Sequence, residues 1–175
     1  ELAATAAAIL QALQNDGLIN AQEASDTARL WAARKALSPL LRDIAPKKIN
    51  EDVVVPVSRL PELLSGLRRI SSRHQIANAN FGHAGNGNIH VNLLVNPDDP
   101  QEMLRAEACL DEIFSLVLQL HGTLSGEHGV GIEKRDFIDR EIEPVTLALM
   151  RRIKAQFDPN GILNPDKMFP LSIDG

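Results

Sequence analysis

The chain has 175 residues, of which 44% are hydrophobic and 23% charged, the composition of an ordinary globular domain with enough chain to bury a core. Eighteen Lys and Arg stand against 23 Asp and Glu, for a net charge of -5, and no basic run exceeds two residues, which excludes the usual footprint of a duplex nucleic-acid binder. Aromatic residues make up 3%, with no Tyr, which excludes a base-stacking platform for single strands.

Residues 2–14 are Ala-rich and carry Leu2, Ile9, Leu10 and Leu13, which predicts a helix stopped by Asn15-Asp16-Gly17. This most apolar stretch is interrupted by Thr5 and Gln11 and is too short to span a bilayer; no secretory signal is visible. Helical patterning begins at once from Glu1, so the chain reads as a piece of something longer or as a trimmed form. A second helix is expected over 21–34, with Leu30 and Trp31 on its apolar side, and Pro39 and Pro46 are expected to break the pattern. On that helix Arg34 offers a guanidinium suited to a carboxylate, although an exposed helical Arg looks the same in sequence. Lys47 and Lys48 read as a solvated turn.

Residues 52–57 are dominated by Val and predict a strand, followed by a helix capped by Ser58 and lined by Leu60, Leu63, Leu64, Leu67 and Ile70. Strands are predicted near 76–81 and 88–95, then a turn at 96–100. Met103, Ala106, Leu110, Ile113, Val117 and Leu120 recur at helical spacing, the clearest amphipathic pattern in the chain. Cys109, the single cysteine, lies beside that stripe as a buried, inert thiol, and a lone cysteine excludes an intrachain disulfide. His74 and His121 sit at helix ends, where a cation suits the dipole. After a Gly-rich segment over 122–131, Pro144 opens a last helix with Leu149, Ile153 and Phe157 as its apolar stripe, stopped by a type I turn at Asp158-Pro159-Asn160-Gly161. From residue 50 the order is strand, helix, strand, strand, helix and a short strand. That order predicts an α+β fold, a split βαβ, ferredoxin-like antiparallel sheet with helices packed on one face, plus N- and C-terminal helices.

Two segments carry chemistry. In Gly82-His83-Ala84-Gly85-Asn86-Gly87-Asn88-Ile89-His90, the Asn86-Gly87 pair predicts a two-residue type I′ hairpin turn. His83 would then face His90 directly, with Cβ atoms about 5 Å apart, a separation suited to two imidazoles on one metal ion. Alternation puts Asn92 on that face and turns Val91, Leu93 and Val95 to the core. The bland alternative is a plain hairpin with two exposed histidines.

In Ser125-Gly126-Glu127-His128-Gly129-Val130-Gly131, glycines surround an acid and an imidazole. Bending there would let Glu127 complete a two-His, one-carboxylate set and leave His128 as a general base. The two roles are interchangeable at this stage, and a solvated turn is the alternative.

These motifs, with the closing Asp158-Pro159-Asn160-Gly161-Ile162-Leu163-Asn164-Pro165, resemble the C-terminal half of the FAD-linked D-2-hydroxyacid dehydrogenases, and the resemblance runs from Leu30-Trp31-Ala32-Ala33-Arg34 to Phe169. It implies a C-terminal FAD-linked oxidase domain over 1–175, with an N-terminal FAD-binding domain outside the chain. It implies His83, His90 and Glu127 as ligands of a divalent metal, usually Zn2+, with Mn2+ as another candidate. His128 matches the catalytic base, Arg34 and Ser38 the holders of the substrate carboxylate, Asn92 a substrate contact, and Asn164 a position close to FAD. A substrate-binding lysine is expected just before the residue 52 strand. Asn50 stands there in an ungapped alignment, and Lys48 takes the place after a local shift. The turn's usual Asp is Asn86 here, one negative charge fewer near the metal.

The activity implied is oxidation of a D-2-hydroxy acid, of the lactate, glycolate or 2-hydroxyglutarate type, to the 2-oxo acid. Partners implied are that acid, the chain's own FAD-binding domain and an electron acceptor, with no nucleic acid, no transmembrane segment and room for a homodimer. The compartment implied is the cytoplasm, or the mitochondrial matrix in a eukaryote. The competing functions are a flavin-free metal-dependent hydrolase or lyase, and a non-catalytic α+β binding module.

Overall fold

A computed structural model describes residues 27–170. The helix expected over 2–14, its stop at residues 15–17 and the start of the helix expected from 21 lie outside the described residues. The chain divides into two compact units, residues 1–40 and 41–175. Helix α1, Thr27–Ile44, begins in the first and ends in the second, and it contains Pro39. Of the two prolines expected to break the pattern, only Pro46 does so. Pro39 removes its own N–H and crowds the carbonyl one turn earlier, a local loss that the turns on either side survive.

The second unit is built from β1 (Lys47–Val54), α2 (Leu60–His74), β2 (Ala77–His83), β3 (Asn88–Val95), α3 (Pro100–Gln119) and α4 (Pro144–Phe157). The three strands lie in the order β1-β3-β2, with β3 antiparallel to both neighbours. This is a split βαβ in an α+β fold, as the order of elements predicts. The short strand expected after α3 is reduced to a single bridge, Val54 with Thr123, whose N–H groups donate to each other's carbonyls at 3.1 and 2.8 Å. Pairing goes no further as a regular ladder because the glycine-rich segment bends. Gly126 N–H nevertheless returns to β1 and donates to the Asp52 carbonyl at 3.1 Å.

β1 starts at Lys47 rather than at residue 52 and stops at Val54, before Pro56. As an edge strand it tolerates polar residues that a central strand would not, and Pro56 has no N–H to continue it. Ser58 does not cap α2. Arg59 takes the N-cap position with no side-chain bond, after a single 3-10 turn over Val57–Arg59, and Pro61 pre-sets the first helical turn. α3 is capped as a helix should be: the Asp99 carboxylate accepts from the N–H groups of Gln101 and Glu102 at 2.9 and 3.1 Å.

Val53, Ile89, Val91, Leu93 and Val95 from the sheet pack against Leu63, Leu67 and Ile70 of α2 and Ala106, Cys109, Ile113, Phe114 and Val117 of α3. Each Leu- or Phe-sized side chain buried there contributes about 1.5–3 kcal/mol of transfer free energy. Gly66 is where the two helices meet closely, since a Cβ there would run into Leu116. α4 departs from expectation. Leu147 is its buried residue, and Leu149, Ile153 and Phe157 are exposed. The helical period predicts which residues share a side, but not which side meets the body of the domain.

The hairpin is longer than its Asn-Gly pair implies. His83 pairs with Asn88 and Phe81 with His90, so the turn takes residues 84–87 instead of two. Val55 N–H donates to the Gly87 carbonyl at 3.2 Å, which draws Gly87 to the chain after β1 and out of the ladder. The register differs from the expected one by two residues. Strand parity therefore survives, and His83 and His90 share a face as diagonal neighbours instead of direct partners. Gly87 has φ 78°, and a Cβ there would collide with the Val55 carbonyl, whereas Gly85 has open space around it. Gly87→Ala should lower the unfolding free energy by at least about 2 kcal/mol and Gly85→Ala by less than about 0.5 kcal/mol, read from urea unfolding midpoints.

Candidate functional site

The sheet has one apolar face and one polar face. On the polar face β3 contributes His90 and Asn92, β1 contributes Asp52 and Asn50 directly opposite them, and β2 contributes Phe81 and His83. His90 is buried, with the Phe81 ring centroid 5.9 Å away and the His83 ring edge-on at 5.7 Å. Glu127 enters from the glycine-rich loop and brings Oε1 to 3.2 Å from His90 Nε2. One nitrogen from each of His83 and His90 and one carboxylate oxygen of Glu127 lie within 4.8 Å of one another. The His128 ring stacks on His90 at 5.4 Å, with 27° between planes.

Burial lowers the pKa of His90, and the neighbouring imidazoles of His128 and His83 lower it further, against the partial opposition of Glu127. His90 is therefore neutral near pH 7, the form that offers a lone pair. Two imidazole nitrogens and one carboxylate, converging with no fourth His, Cys, Asp or Glu among the described residues, suit a divalent transition metal with coordination positions left open.

Beneath the loop lies a buried acid that sequence reasoning did not single out. Asp52 Oδ2 accepts from the N–H of His128 at 2.8 Å and from the N–H of Glu127. Its Oδ1 accepts from the Lys134 ammonium and lies 3.5 Å from His128 Nδ1. Asp52 and Lys134 are 0% and 2% exposed. Burial alone would raise the Asp52 pKa. Lys134 and the two backbone N–H groups outweigh it and hold the carboxyl at about 2. Glu51 lies 3.4 Å from the same ammonium, and burial pushes its carboxyl up. The signal available in sequence was an acidic pair, Glu51-Asp52, directly before a run of valines, and Lys134 a few positions beyond the Gly-Glu-His-Gly motif.

Arg34 and Ser38 lie four residues apart on α1, in the first unit, so one side of that helix carries both. Lys48 and Asn50 are on β1 in the same alternation as Asp52. Asn92 is fully buried and donates to the Ala79 and His90 carbonyls at 2.9 and 3.2 Å, while its Oδ1 has no hydrogen-bond partner. Asn164, left-handed at φ 46°, follows the turn at 158–161, where Gly161 N–H donates to Asp158 O at 3.1 Å. It lines a hollow of about 330 Å³ with Arg151, Lys154 and Phe169, which none of His83, His90 and Glu127 lines.

The family described as FAD linked oxidases, C-terminal domain, matches residues 1–168. The chain belongs to that family. It is 36% identical over 150 residues to the glycolate oxidase subunit GlcD of Escherichia coli, covering 86% of this chain and 30% of that protein. It is 35% identical over 159 residues to D-2-hydroxyglutarate dehydrogenase of Stutzerimonas stutzeri, covering 88% and 33%. It is 36% identical over 155 residues to the mitochondrial cytochrome-type D-lactate dehydrogenase 1 of Saccharomyces cerevisiae, covering 85% and 26%. The chain spans between a quarter and a third of the length of these relatives. Among the described residues no helix is long and apolar enough to cross a membrane.

The acid cluster predicts a pH signature. The Asp52 pKa falls from 3.8 to about 2 on folding, so its stabilisation is complete above about pH 5 and is lost as the pH drops towards 2. Between pH 6 and pH 3 the wild-type chain should lose about 1 kcal/mol more unfolding free energy than Asp52→Asn. Urea unfolding across that range measures the difference.

Proposed function

We propose that the chain is the substrate- and metal-binding part of an FAD-dependent dehydrogenase that oxidises a D-2-hydroxy acid to its 2-oxo acid. The observation that carries this reading is the convergence of His83, His90 and Glu127 within 4.8 Å, with the His128 imidazole stacked beside them. The relatives, a glycolate oxidase subunit, a D-2-hydroxyglutarate dehydrogenase and a D-lactate dehydrogenase, support the substrate class.

His83, His90 and Glu127 would hold Zn2+ or Mn2+. A bound metal would supply a Lewis acid for the substrate hydroxyl, and bound FAD a hydride acceptor. His128 takes the hydroxyl proton. Its side chain is 39% exposed, open to a ligand yet backed by the buried His90. Arg34 and Ser38 are assigned to the substrate carboxylate on their motif, Asn92 and Lys48 to further substrate contacts, and Asn164 to the flavin side. The unpartnered Asn92 Oδ1 supports a polar contact on the sheet face. The FAD-binding domain, on this reading, lies outside these 175 residues, and the compartment is the cytoplasm or the mitochondrial matrix.

The test is anaerobic flavin bleaching in the flavoprotein that contains this chain, combined with metal analysis. D-lactate, glycolate and D-2-hydroxyglutarate are offered in turn, with L enantiomers as controls. Bleaching by at least one of them is expected, with near-stoichiometric metal that is lost in His83→Ala/His90→Ala. His128→Ala should slow bleaching about 100- to 10,000-fold. Full-rate bleaching by a protein stripped of metal, or by His128→Ala, would overturn the assignments.

A further inference from the structure

We propose that Asp52, clamped by the buried Lys134, is the positioning residue that aims both Glu127 and His128 at the site. The proposal rests on the functional reading above and adds to it a residue outside the motifs that carry that reading.

Neighbouring side chains on an extended backbone point to opposite sides. Glu127 and His128 do not: one carboxylate oxygen reaches 3.2 Å from His90 Nε2, and the adjacent imidazole stacks on the same His90 ring. The cause lies beneath them. Their consecutive N–H groups both donate to Asp52 Oδ2, which bends the backbone into a concave nest around one oxygen. Asp52 is the direct partner of His90 in the β1–β3 ladder, so the acid that holds the loop is itself in fixed register with a proposed ligand.

The second oxygen completes the arrangement. Oδ1 lies 3.5 Å from His128 Nδ1. A carboxylate on that side favours the tautomer with a proton on Nδ1 and leaves the Nε2 lone pair to receive the substrate proton. The Lys134 ammonium holds the Asp52 carboxylate in place and also donates to the Asp52 carbonyl at 3.3 Å. Only an ionised carboxylate accepts every one of these bonds; an Asn would set N–H donors against N–H donors. Glu51 is the internal control: it is buried like Asp52 and lies beside the same Lys134, while the N–H groups of residues 127 and 128 go to Asp52.

Asp52→Asn, Lys134→Met and Glu51→Gln are compared in the flavin-loaded protein. For Asp52→Asn the expected result is a Mn2+ or Zn2+ affinity lowered about 10- to 100-fold, with kcat at saturating metal lowered by a similar factor and KM for the hydroxy acid within about threefold. Lys134→Met should shift both readouts the same way, and Glu51→Gln should leave both unchanged. Metal affinity and kcat within about twofold of wild type in Asp52→Asn, or the same losses in Glu51→Gln, would overturn the proposal. A variant that fails to fold leaves a measurement on the metal-free wild type, hydrogen exchange at the Glu127 and His128 amides. Protection comparable to β3 amides is expected, and exchange as fast as in an open loop overturns the proposal. That measurement needs neither metal nor substrate, so a failure of the metal reading and a failure of the Asp52 proposal give different results.

Discussion

One buried carboxylate organises the polar half of this domain. Asp52 accepts from Lys134 and from two consecutive backbone N–H groups of the loop at 127–128, with Gly126 N–H on its own carbonyl. A buried ion pair is by itself weak evidence for stability, since desolvation cancels much of the attraction. The backbone N–H groups change that balance. They give the acid acceptors' work that no apolar replacement could do, and they turn a charge cluster into a template for loop shape.

The sheet supplies the other constraint. Its apolar face is filled by Val53, Val91 and Leu93 against α2 and α3, and this packing fixes which residues look the other way. A strand whose odd positions are locked in a core has no choice about its even ones. His90 and Asn92 on β3 and Asn50 and Asp52 on β1 are therefore presented together without any device of their own. The hairpin register can change by two residues and keep both histidines on that face.

Membership of the FAD-linked oxidase family agrees with this arrangement and extends the reading beyond it. The chain spans about 30% of the length of relatives such as GlcD. The part of α1 that carries Arg34 and Ser38 belongs to the first compact unit, which runs to Leu40. The donor cluster on the sheet and the loop over it stand within the second unit alone.

Much of the fold was legible in the sequence. Valine runs and helical leucine spacing located the strands and helices, and Asp158-Pro159-Asn160-Gly161 located a turn, because these are properties of a few neighbouring residues. The shared face of His83 and His90 was legible too, since parity is local. The hairpin length was not, because Gly87 is held by Val55 from another part of the chain. Nor was the outward aspect of Leu149, Ile153 and Phe157 on α4, which depends on how that helix meets the body of the domain. The sequence by itself determined most element types, the shared face of two histidines and the family. Tertiary structure decided the register, the helix face and the Asp52–Lys134 clamp, because a buried charge is stable only where residues 82 positions apart bring a counter-charge and backbone donors to it.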